Sequence, residues 1–281
     1  MDVIASEELV GTRDGVSQLQ RRWQPKGDAT AAVVLVHGVA EHSGRYHHVG
    51  QFLAARGLDV LGFDLRGHGQ TGGRRGHVDS FEQFYDDVED LIIERRQTQL
   101  PTVLIGHSLG GLISSGYVVS DRPTPDLLVL SAPALGAKVP RWQRIAAPLL
   151  SNIAPTLFIK SDLGDHLLSR DPQVQQDYSN DELRVGGVTT RLGSELFSAM
   201  ELTTAGLERI TMPTYVLHGQ EDKLVPPSFS EPLSALPNVT RREWPGLRHE
   251  CLNEPEQAEV MTEMVDWIDV ELAKINQESK T

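Results

Sequence analysis

The chain has 281 residues, 39% hydrophobic and 23% charged, the profile of a globular protein long enough to bury a core without staples. Its 26 basic and 39 acidic residues give a net charge of −13, which argues against a nucleic-acid partner because phosphate binding needs a basic surface. Its one cysteine, Cys251, excludes an internal disulfide framework.

In chain order, the opening "MDVIASEELVG" is acidic and lacks the apolar region of a secretory signal. No stretch approaches the ~18 apolar residues of a spanning helix. The expectation is a soluble, cytoplasmic protein, with peripheral membrane contact left open. Asp14-Gly15 marks the turn of an antiparallel hairpin. Strand-length apolar runs follow at 30–38, 58–69, 101–108, 126–135, 213–222 and 240–249. Most are continuous rather than alternating, as expected of strands covered on both faces. Between them, Ser80 to Arg96 reads as a helix with Phe81, Phe84, Val88, Leu91 and Ile92 on one stripe, and Ser80 with Gln83 has capping-box spacing. A last helix over 255–275 places Ala258, Met261, Val265, Ile268 and Leu272 on one face. Strands alternating with helices predict an α/β fold with a mostly parallel sheet.

The alternation breaks over 136–210, where the sequence offers no convincing strand. Residues 139–158 carry Val139, Trp142, Ile145, Leu149 and Ile153 at helical spacing, with Pro148 and Pro155 expected to kink or interrupt the helix. The reading is a helical cap at 136–210 inserted into a core of 1–135 and 211–281. Its apolar face, bordered by Arg141, Arg144 and Lys160, suits either an acyl tunnel and a lipid interface or packing on the domain below.

Gly106-His107-Ser108-Leu109-Gly110 fits G-x-S-x-G, with the strand "PTVLI" before it and the helical "LGGLISSGYVV" after it. Such a serine sits on a strained turn, and side chains at the flanking glycines would strike neighbouring backbone. Serine needs a base. In this context the base follows the acid, which follows the serine, so the candidates are His166, His218 and His249. His166 falls in the cap and His218 inside a strand, where a structural role is expected. His249 follows the last strand. Among the acids between Ser108 and His249, Asp121, Asp162, Asp165, Asp171, Asp177 and Asp181 lie in the cap or its flanks, and Asp126 starts a strand. Asp222 ends a strand at the edge where Ser108 lies, and Glu221 beside it is the alternative. Oxyanion donors are expected from the backbone N–H groups of Leu109 and of Val39, in the loop after His37-Gly38. His42, His47 and His48 cluster without the partners of a metal site, no phosphate loop is present, and the chemistry requires no cofactor.

Five stretches together resemble the monoacylglycerol lipase and lysophospholipase branch of the α/β-hydrolases: "HGVAEHSGRY" (37–46), "GFDLRGHGQTGGRRGH" (62–77), "GHSLGG" (106–111), "LHGQEDKLVPP" (217–227) and "RHECLNEPE" (248–256). The first is the most specific. The resemblance implies the α/β-hydrolase fold, an eight-stranded, mostly parallel sheet with helices on both faces and a cap. It implies a Ser108–Asp222–His249 triad, a monoacylglycerol substrate, and glycerol contacts at Glu41 and Arg45. Lysophospholipase, broad carboxylesterase or acyltransferase activity would use the same triad. A catalytically silent binding protein would require an incomplete one.

Overall fold

The computed structural model describes residues 3–161 and 164–278. Its element order is β1 (Val3–Gly11), β2 (Ser17–Pro25), β3 (Ala31–Val36), α1 (His47–Ala55), β4 (Leu58–Phe63), α2 (Glu82–Arg96), β5 (Thr102–His107), α3 (Leu109–Val119) and β6 (Leu127–Ser131). There follow α4 (Arg141–Ile153), β7 (Phe158–Lys160), α5 (Asp165–Leu168), α6 (Pro172–Asn180), β8 (Gly187–Thr189) and α7 (Thr190–Ala205). The chain then returns through β9 (Thr214–Gly219), β10 (Val239–Trp244) and α8 (Gln257–Glu278).

Eight strands form one sheet in the order β1-β2-β4-β3-β5-β6-β9-β10. The β1–β2 hairpin is antiparallel and β2 joins β4 antiparallel, while every pairing from β4 onward is parallel. Strands β3, β4, β5, β6 and β9 are buried along their whole length, which explains their continuous apolar sequence. One core layer packs α2, α3 and α7 on one face through Phe84, Val88, Leu112 and Leu192. The other packs α1 and α8 on the opposite face through Val49, Leu53, Val265 and Ile268. In α8 the buried stripe includes Val260 and Met264, whereas Ala258 is exposed. In α2 the Gln83 side chain accepts from the N–H groups of Asp79 and Ser80, and Ser80 Oγ accepts from Glu82 N–H, so the expected capping pair closes the helix start.

One expectation for 136–210 is corrected. The segment does contain strands, since β7 and β8 form an antiparallel pair of three residues each. Strands that short carry too few alternations to register as a period of two. Pro148 does not interrupt its helix, for α4 runs through it. Pro148 is exposed, so water can satisfy the carbonyl one turn earlier that its missing N–H leaves free. Pro155 acts as expected, because α4 ends before it and Ala154 leaves helical geometry. The Arg141 side chain and Asp162 lie outside the described residues.

Candidate active site

The sheet brings the ends of β3, β5, β6 and β9 to one edge. Ser108 follows β5 directly, with φ 52° and ψ −112°, a conformation that L-residues rarely adopt. The turn is possible because two glycines flank it. A Cβ on Gly106 would strike the Gly110 carbonyl and Ser114, and one on Gly110 would strike the Val36 and His37 carbonyls. The strain is held by hydrogen bonds from Ser108 N to Ser131 O at 2.9 Å and from Ala134 N to Ser108 O at 3.0 Å.

Ser108 Oγ lies 2.9 Å from His249 Nε2, and His249 Nδ1 lies 2.7 Å from Asp222 Oδ2. The three residues named from sequence are thus brought into one hydrogen-bonded line, all buried. Asp222 Oδ1 accepts from Leu224 and Val225 N–H, each at 2.9 Å. Burial works against the Asp222 charge, but His249 and these donors outweigh it and hold the carboxyl well below the usual range. For His249, burial pulls the imidazole down, yet the Asp222 charge prevails and leaves it above the ordinary value of 6.5. Glu221, the alternative acid, is exposed, with its N–H bound to Leu247 O. His166, in α5, turns its ring to the surface beside Asp165.

The loop after β3 supplies the facing wall. His37 Nε2 accepts from Leu65 N–H at 2.9 Å, so its Nδ1 carries the proton and donates to Gly38 O at 2.7 Å. That ring fixes the loop carrying Val39, whose N–H has no partner among the described residues. Leu109 is the first residue of α3, and its N–H has no intrahelical acceptor. Asp64 anchors the same loop from the 62–77 stretch, accepting from Ser43 N–H at 2.9 Å and Gln70 N–H at 2.8 Å.

Glu41 reaches the cavity wall, and Arg45 stands behind it. Glu41 Oε1 accepts from Gly38 N–H and from the Tyr46 hydroxyl, and Oε2 accepts from Arg45 at 2.7 Å. Arg45 also grips Glu250 with two bonds of 2.7 and 2.8 Å. Burial alone would raise the Glu250 carboxyl, but Arg45 brings it down to about 2. Sequence reasoning did not single out Glu250, Tyr46 or His107. The signal available was Glu250's place immediately after His249, and His107's immediately before Ser108. The His107 ring centroid lies 4.8 Å from that of His249, and burial pushes His107 down to about 4.

From the other side, Leu168 and Tyr178 close the space over Ser108, leaving a cavity of about 10 Å³, no more than one water. Leu168 O accepts from Glu250 N–H at 2.8 Å. Glu254, wholly buried, accepts from Arg248 N at 2.6 Å and Arg170 N at 2.9 Å, joining the loop that carries His249 to the segment that covers it. Among the described residues no group of three or more His, Cys, Asp or Glu side chains is placed to hold a metal ion.

Residues 27–256 match the Hydrolase_4 family, described as serine aminopeptidase S33. Over 271 residues the chain is 35% identical to a monoacylglycerol lipase of Mycolicibacterium smegmatis, covering 94% of this chain and 96% of that one. It is 36% identical over 248 residues to a phospholipase of Bacillus subtilis, covering 85% and 95% respectively. The crystal structure of a monoacylglycerol lipase from Paleococcus ferrophilus matches with a TM-score of 0.80 at 31% identity, covering 96% of this chain and all of that one. The eight-stranded sheet, the serine turn and these relatives lead to one assignment: the chain belongs to the monoacylglycerol lipase and lysophospholipase branch of the α/β-hydrolase superfamily and is a carboxylic ester hydrolase.

Proposed function

We propose that the protein hydrolyses the ester bond of monoacylglycerols, releasing glycerol and a fatty acid through an acyl-enzyme on Ser108. The observation that carries this reading is the line Ser108–His249–Asp222 ending against a buried wall of Glu41 and Glu250. His249 Nε2 takes the hydroxyl proton as Ser108 Oγ attacks the ester carbonyl, and Asp222 stabilises the imidazolium. The carbonyl oxygen becomes anionic and accepts from the N–H groups of Val39 and Leu109. His249 returns the proton to the departing glycerol oxygen, then takes one from the water that frees the fatty acid.

The headgroup end supports a neutral alcohol. Glu41 and Glu250 share one Arg45, so the triple carries a net negative charge that accepts hydroxyl donors and opposes a phosphate. The monoacylglycerol lipases among the relatives support the same substrate. In this reading 136–210 is a cap that must move to admit substrate, and 1–135 with 211–281 is the core. A cavity of about 410 Å³ beneath α4, lined by Trp142, Ala146, Leu150, Ile159, Val188 and Phe197, has the size and apolar lining that an acyl chain needs. The outer face of α4 exposes Ile145, Leu149 and Ile153, which suits transient contact with a lipid surface from the cytoplasm. No helix among the described residues is long and apolar enough to cross a membrane.

A second reading, phospholipid or lysophospholipid hydrolysis, is favoured by the Bacillus subtilis phospholipase relative. Release of fatty acid from monoacylglycerols, lysophospholipids and short p-nitrophenyl esters, with Ser108→Ala as control, ranks the two. The proposal expects the highest kcat/KM on monoacylglycerol. A preference for lysophospholipid would replace it.

A further inference from the structure

Asp222 holds two histidines, and the reaction above uses only one. Its Oδ2 lies 2.7 Å from His249 Nδ1 and 3.2 Å from His218 Nε2, so one carboxylate oxygen serves both rings. His218 is fully buried near the end of β9. Its Nε2 also lies 2.7 Å from the Val225 carbonyl oxygen, an atom that can only accept. Nε2 therefore carries a hydrogen, shared between Val225 O and Asp222 Oδ2. At the far side, Nδ1 faces Ser230 Oγ at 2.8 Å, the shorter of that hydroxyl's two contacts to an acceptor, the other being Pro227 O at 3.1 Å, and Ser230 accepts from Arg241 Nε at 3.1 Å. Both ring nitrogens are engaged, and the imidazole is fixed in one orientation.

We propose that His218 is a positioning residue for ester hydrolysis, whose Nε2–H holds Asp222 Oδ2 in line with His249 and sets how much of that oxygen's charge reaches it. The inference rests on the Ser108–His249–Asp222 reading. A donor on a carboxylate oxygen draws off part of its charge. Without that donor, Oδ2 answers to His249 alone, the imidazolium becomes more stable, and the pH at which His249 gives up its proton rises. The carboxylate, then anchored only through Oδ1 by the Leu224 and Val225 N–H groups, also holds the His249 ring less rigidly in line, which slows the reaction after substrate has bound.

The other groups acting on these rings lie elsewhere. Glu41 faces His249 from the loop after β3, His107 from the end of β5, and Glu250 from its own loop, with Arg45 behind the two carboxylates. Buried Cys251 lies beyond Asp222. Arg241, paired with Glu243 on β10, lies beyond Ser230. None of them bonds His218 in place of Asp222, so a change in the His249 titration on altering His218 reads the Asp222–His218 contact.

The test measures kcat, KM and the pH profile of kcat/KM on a soluble p-nitrophenyl ester, together with Tm, for the wild type, His218→Leu, His218→Gln, Ser230→Ala and Ser108→Ala. His218→Leu should lower kcat about tenfold with KM within about twofold. It should also move the acid limb upward by about half a pH unit. His218→Gln keeps a donor and should restore both. Should the Leu variant fail to fold, Ser230→Ala carries the test. Losing the hydroxyl on Nδ1 weakens the Nε2–H donor and must move the limb in the same direction. An unmoved limb in folded His218→Leu, or in Ser230→Ala where Leu does not fold, overturns the proposal. So does a Gln variant no better than Leu, or a loss of Tm with kcat and pH profile intact. Ester hydrolysis surviving in Ser108→Ala would instead overturn the underlying triad.

Discussion

Ser108 Oγ and His249 Nε2 stand 2.9 Å apart although 141 residues separate them in sequence. The contact exists because β5 and β10 deliver both residues to one sheet edge, and because Ser108 takes a backbone conformation that raises its side chain out of the turn. That conformation has a price in stability. Ser108→Gly should abolish ester hydrolysis yet stabilise the fold by about 1 kcal/mol, the relieved strain less the flexibility glycine adds to the unfolded chain. Ser108→Ala, which keeps the strain, should be equally inactive without that gain. Thermal unfolding of the two variants checks it.

The glycines around the serine are set by contact rather than by flexibility alone. Gly110→Ala places a methyl against the Val36 and His37 carbonyls, at the end of β3, where Val36 is paired with β4 and β5. The expected loss is about 3 kcal/mol or more, with activity lost in parallel. Chemical denaturation reads the first quantity and ester hydrolysis the second.

The pH dependence follows from the sign of the His249 shift. A general base acts only when unprotonated, so kcat/KM should rise with pH. Burial lowers the His249 pKa and Asp222 more than offsets it, so the midpoint should lie above 6.5. Asp222→Asn removes the attraction and leaves the burial. The midpoint should then fall below 6.5, while kcat drops about 10⁴-fold because the ring loses its orienting partner. A pH–rate profile of both proteins decides this.

The Glu41–Arg45–Glu250 triple predicts separate effects on stability and on substrate. Arg45→Met leaves two buried carboxylates facing each other and should cost about 3–5 kcal/mol, read by denaturation. Glu250→Gln should raise KM for monoacylglycerol several-fold and change KM for a short p-nitrophenyl ester much less, since the latter lacks the glycerol hydroxyls.

Helix α4 predicts a surface effect distinct from chemistry. Ile145, Leu149 and Ile153 are 78%, 62% and 73% exposed on one face of α4. Replacing all three by serine should reduce co-flotation with phosphatidylcholine vesicles several-fold. Turnover of a soluble ester should stay within about twofold of wild type.

Much of this site could be read in the sequence because its chemistry is bound to local geometry. Ser108 needs glycines two residues to either side and a strand before it, and those features are contiguous. Chain order and places at strand ends single out Asp222 and His249. The rest depends on partners that meet only after folding. Arg45 and Glu250 are 205 residues apart, and nothing local to either foretells their pairing. His218 read as a strand residue with a structural role, and only the turn after β9 brings Asp222 back onto its ring. The β7–β8 pair escaped because three-residue strands leave no periodic trace. The place of Leu168 and Tyr178 over Ser108 follows from hydrogen bonds formed only on folding, which tie residues 168–170 to the His249 loop.

The most direct test of the account is intact-mass and peptide analysis after treatment with a fluorophosphonate, followed in parallel by loss of monoacylglycerol hydrolysis. The account predicts one adduct per chain, on Ser108, forming at the rate at which activity disappears and absent from Ser108→Ala. An adduct on another residue, or full hydrolysis by protein already labelled at Ser108, would contradict it.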